Sequence, residues 1–134
     1  MTTHPKLDVP LGRVVGAIVC ESLRPGTRLE SPGLTMLTMS RYDLSEPGRD
    51  QPSRWTLIEF DGPEEIAERL ARELSEILLV EGGWYANFST STEAFVVYAS
   101  KIFRYDRETT SGREAALEYG RSVGVPEPQL DWPE

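Results

Sequence analysis

An α+β fold is the class this sequence predicts: an antiparallel sheet of about six strands in βββαβββα order, with two helices packed on one face. Three observations carry that reading. Gly82–Arg107 alternates aromatic and β-branched residues with short polar turns, the pattern of a β-meander. Three further strand-like runs, Arg13–Leu23, Leu34–Tyr42 and Arg54–Phe60, precede it and are separated by Pro-Gly turn signals. Two stretches with helical periodicity follow the third and the sixth strand.

Residues 1–12 hold two prolines and the only histidine, His4, and read as a flexible N-terminal arm; residues 13–134 read as one domain. Val14–Cys20 is apolar on both faces, as a buried strand would be. Arg24-Pro25-Gly26 and Ser31-Pro32-Gly33 mark turns before the second strand. Leu44–Ser53, polar and broken by Pro47 and Pro52, reads as a mobile loop. Along Arg54–Phe60, Thr56, Ile58 and Phe60 share one face, and Trp55, Leu57 and Glu59 share the other.

Asp61 stands where a helix cap is expected, with Pro63 in the first turn. Ile66, Leu70, Leu74, Ile77 and Leu78 form its apolar stripe, and Gly82-Gly83 stops it. Ser111–Glu114 reads as a capping box opening a second helix, whose apolar face would be Ala115, Ala116, Tyr119 and Val123. The tail beyond Pro126 carries Leu130 and Trp132, and a tryptophan there predicts that the tail docks onto the domain. The two βββα halves hint at a duplication, although no residue-level repeat is visible.

Within the meander, a two-residue turn at Ser91-Thr92 sets Phe88 opposite Phe95 and Ala86 opposite Val97. At the next hairpin a two-residue turn would bury Arg104 and Asp106. A three-residue turn, Ala99-Ser100-Lys101, buries Phe103 and Tyr105 instead, and the cost of burying charge favours it. The opposite face would then carry Tyr85, Asn87, Val96, Tyr98, Ile102, Arg104 and Asp106. This mixture of ring, aliphatic and polar groups suits a contact surface with Arg104 as its polar anchor. The alternative is that a strand or loop from residues 23–53 folds over that face.

A net charge of −8 with scattered basic residues argues against a nucleic-acid partner. No apolar run is long enough to span a bilayer, and Met1–Lys6 has no leader-like apolar core, so a cytoplasmic chain without membrane attachment is expected. The single cysteine, Cys20, lies in an apolar strand without a nearby histidine to activate it and reads as core. There is no Cys/His spacing for a metal and no phosphate-cradling glycine loop. A Ser-His-Asp set would require His4 to fold back. No cofactor, metal or catalytic residue is therefore predicted.

The leading expectation is a small non-catalytic binding or interaction module, a homodimer, contacting itself, another protein or a small molecule. The competing one is a small enzyme using Tyr, Arg and carboxylate groups on the second face of the sheet. That enzyme would need a pocket converging on Arg104, holding a carboxylate of raised pKa.

Overall fold

The computed structural model describes residues 7–134. One open antiparallel sheet is built from β1 (Arg13–Val19), β2 (Thr35–Asp43), β3 (Arg54–Pro63), β4 (Ala86–Ser89), β5 (Glu93–Tyr98) and β6 (Lys101–Asp106). Their spatial order is β2-β3-β1-β4-β5-β6. Helix α1 (Ala67–Ile77) joins β3 to β4, and α2 (Thr110–Ser122) follows β6. This is the α+β class and the βββαβββα order read from the sequence. β1 lies inside the sheet between β3 and β4, which is why its residues are apolar on both faces.

α1 buries Leu70 and Leu74 against Val14, Ile18, Phe60, Phe88, Phe95 and Val97. Each of these leucines contributes on the order of 2 kcal/mol by leaving water. The helix is shorter than its periodicity implied. β3 runs on to Pro63, so Asp61 sits in the sheet opposite Val15 and pairs with Arg13 at 3.1 Å instead of capping. A 3-10 turn, Glu64–Ile66, then leads into α1. At the other end Leu78 leaves the helix to bridge Leu23, and the Leu79 N–H donates to the Ser22 carbonyl at 2.8 Å.

The expectation of both helices on one face is corrected. β5 is apolar on both sides: Phe95 and Val97 face α1, while Val96 and Tyr98 face α2 and the C-terminal tail. This second core joins Val96 and Tyr98 to Ala116, Val125, Leu130 and Trp132. α2 meets the sheet through Gly112, Ala116 and Gly120, a stripe of small residues. A Cβ on Gly112 would lie 2.2 Å from Tyr105 Cβ, and one on Gly120 would lie 2.6 Å from Tyr98 Oη. Tyr119, expected on this face, adds its ring against Tyr98 and Phe103 at 4.9 and 5.5 Å, and the small residues beside it explain the weak amphipathic signal. Ala115 and Val123, expected on the buried face, are exposed.

The first meander hairpin has the expected register, but the second does not. Tyr98 pairs with Lys101 around a two-residue turn, with Ser100 in the left-handed region at φ 61°. Ile102, Arg104 and Asp106 thereby share the α1 face, and Phe103 and Tyr105 lie under α2. Two features of the fold outweigh the expected cost of turning Arg104 and Asp106 to that face. β6 is an edge strand, where Arg104 reaches solvent, and the second face is a core that needs those rings. The halves also differ in topology, since β1 pairs with β3 in one while β5 is the middle strand of the other.

Residues 1–6 of the expected arm lie outside the described residues. From Leu7 the chain is tied down: the Leu7 N–H donates to the Glu134 carbonyl at 3.0 Å, and Glu64 N–H to Gly12 at 2.9 Å. The loop between β2 and β3 is also anchored. Gln51 is buried, donates to the Gly82 carbonyl at 2.7 Å and forms a reciprocal amide pair with Gln129. A buried amide with both ends satisfied holds a loop that composition alone marks as loose.

Candidate ligand-binding groove

The second face is sealed by α2 over β5 and β6. Over β1 and β3 it forms a groove of about 620 Å³. Register builds the floor: Ala17 stands opposite Glu59 on one side and Asn87 on the other, and Val19 stands opposite Leu57. Strand alternation puts Val15, Ala17 and Val19 on this floor and sends Val14 and Ile18 to the α1 core. The C-terminal tail, including Pro126, Gln129, Asp131 and Trp132, forms one wall, and residues 42–46 line the groove as well.

The aromatic rings are organised in two groups. Tyr42, Trp55 and Trp84 follow one another with centroids 6.3 and 5.1 Å apart. Tyr85 meets Trp132 edge-on at 5.2 Å. The Tyr85 hydroxyl donates to the Gln129 carbonyl, and its pKa is driven strongly upward by burial and then by the nearby Asp131 carboxylate. The Tyr42 hydroxyl is also pushed up, first by burial and next by Asp131. The Asp131 field thus reaches tyrosines from both ring groups.

Of the seven residues expected to form one surface, Tyr85 and Asn87 line the groove. Val96 and Tyr98 are sealed in the second core, where the Tyr98 hydroxyl donates to the Ala116 carbonyl at 2.8 Å. Ile102 is exposed on the α1 face, opposite Val97. Arg104 makes two 2.8 Å hydrogen bonds to Glu93, approaches Glu68 at 3.6 Å and lies 5.1 Å from the Phe95 ring centroid. Asp106 Oδ1 accepts from the Glu108 N–H at 2.8 Å.

Sequence reasoning missed the floor of β1 and β3 and the tail wall. The signal was present: β1 is apolar on both faces, and Trp55 and Leu57 share a face with Glu59, which implies a second apolar layer needing partial cover. Among the described residues no group of three His, Cys, Asp or Glu side chains could hold a metal, and no helix is long and apolar enough to cross a membrane. Burial, and then Glu21, push the Cys20 thiol upward, which keeps it protonated and a poor nucleophile. No protein-family model matches the chain, and neither does any curated protein or solved structure compared with it.

Proposed function

We propose that the protein is a non-catalytic binding module that holds a small, largely apolar molecule in the groove over β1 and β3. One observation carries this reading. About 620 Å³ of concave space, floored by aliphatic side chains and walled by aromatic rings, lies within the roughly 300–1,000 Å³ range of small-molecule sites. The enzyme alternative has less support, because Arg104 is outside this groove and its partner Glu93 has a pKa pushed down, not up. The three tryptophans of the chain, Trp55, Trp84 and Trp132, all line the groove, so intrinsic fluorescence reports occupancy. A neutral probe such as phenylbutanol should change that fluorescence saturably. Ala17→Phe, which fills the floor, should weaken the response at least about tenfold with the melting curve unchanged. A response that survives Ala17→Phe would end this reading.

Self-association belongs to the same proposal, placed at β2. That edge strand is exposed along its whole length, and Met36, Leu37 and Met39 are each more than half exposed. A second copy pairing antiparallel along this edge would extend both sheets about a twofold axis and cover those side chains. Light scattering should give a dimer mass for the wild type and a monomer mass for the Leu37→Lys/Met39→Lys variant. A monomeric wild type would refute the dimer while leaving the groove reading intact.

A further inference from the structure

We infer that the groove selects organic cations, an ammonium or guanidinium head carried on an apolar body. This rests on the groove being a ligand site and adds the sign of the ligand's charge. The first observation concerns what the rings offer. The Trp55 indole N–H donates to the Pro52 carbonyl at 3.0 Å, that of Trp132 donates to the Tyr105 hydroxyl at 2.9 Å, and the Tyr85 hydroxyl donates to Gln129. Their polar tips are satisfied inside the fold, so what these residues add to the groove lining is ring rather than N–H or O–H donors, and rings attract cations. The Trp132 ring already carries the Arg113 guanidinium at 4.9 Å, which leaves that role to Trp55 and Tyr85.

The second observation is charge. Glu46, Glu59 and Asp131 line the groove, and among the described residues no Lys, Arg or His does. None of those three carboxylates stands in an ion pair with a described residue, and the hydrogen bond to Glu59 comes from the neutral Thr38 hydroxyl at 2.8 Å. A fourth carboxylate, Asp43, is already neutralised by Arg54 at 3.0 Å. An anion entering the groove would meet uncompensated like charge. A neutral guest would leave the carboxylates unused. A cation with an apolar body satisfies both the rings and the carboxylates.

The test uses three probes with one body and different heads: phenylbutylamine, phenylbutanol and phenylbutyrate, titrated against tryptophan fluorescence. The amine should bind about tenfold or more tighter than the alcohol, and the acid more weakly than either. Added salt should narrow the gap between amine and alcohol. Glu59→Gln and Asp131→Asn change exposed side chains, and each should narrow the gap between amine and alcohol about threefold. Ala17→Phe should abolish amine binding. Equal affinity of amine and alcohol would overturn the charge inference and leave the groove standing, as would a preference for the acid. Amine binding that survives Ala17→Phe would place the attraction on the acidic surface outside the groove and overturn the inference. Failure of all three probes to bind would remove both readings together.

Discussion

Trp132 fixes the C-terminal tail by four contacts: its ring against Tyr85, its indole N–H on the Tyr105 hydroxyl, its carbonyl accepting from Arg113 at 2.8 Å, and the Arg113 guanidinium 4.9 Å from its ring centroid. It is 3% exposed, so Trp132→Ala leaves a cavity in the second core and opens one groove wall. The expected loss is about 3–5 kcal/mol, seen as a melting temperature lower by roughly 10 °C or more. A different kind of prediction attaches to Glu93. Hydrogen bonds from Arg104 hold its carboxyl below the ordinary value of 4.5, against the opposing effect of burial. A carboxylate with a lowered folded-state pKa adds stability that is fully present above its unfolded value. That stability is lost as the pH falls through the folded value. Glu93→Gln should therefore flatten the acid side of the stability curve below about pH 4.5, measured by urea unfolding. The pair is partly exposed, which keeps the effect under about 1 kcal/mol.

At the scale of the element, α2 is the instructive case. Gly112, Ala116 and Gly120 are small enough to let the helix backbone rest on Tyr105 and Tyr98, while Tyr119 adds its ring beside them against Tyr98 and Phe103. Ala116 is fully buried, whereas Ala115, one residue earlier, is exposed. Ala116→Leu should cost about 1–3 kcal/mol by overpacking, and Ala115→Leu should stay within about 0.5 kcal/mol of the wild type in urea unfolding. Equal effects at the two sites would mean that the helix presents another face.

At the scale of the molecule, the sheet is asymmetric. β5 is covered on both faces, by α1 on one and by α2 with the tail on the other, while β2 at the far edge is bare. Val96, on β5, has no exposure and belongs to the second core. Val96→Asp places an unpaired carboxylate there, a cost of several kcal/mol against a domain stability of roughly 5–15 kcal/mol. Loss of the cooperative unfolding transition is expected. A folded variant altered only in its oligomeric mass would show instead that this face is an interface between chains.

The sequence by itself determined the α+β class, the element order, the first meander register and the stripe of α1. Each rests on alternation, helical periodicity or a turn signal that neighbouring residues carry among themselves. Only the tertiary structure decided that β1 sits between β3 and β4, because strand order depends on contacts between distant segments. It also decided which face α2 covers, since a helix that meets the sheet largely through Gly112, Ala116 and Gly120 shows little periodicity of its own. The second hairpin register followed from that choice: Phe103 and Tyr105 belong under α2, and edge exposure lets Arg104 reach solvent and its glutamate partners. For the same reason the groove was half legible. Tyr85 and Asn87 were in view from the meander, but its floor and its tail wall come from segments as far apart as Ala17 and Asp131, and only folding brings them together.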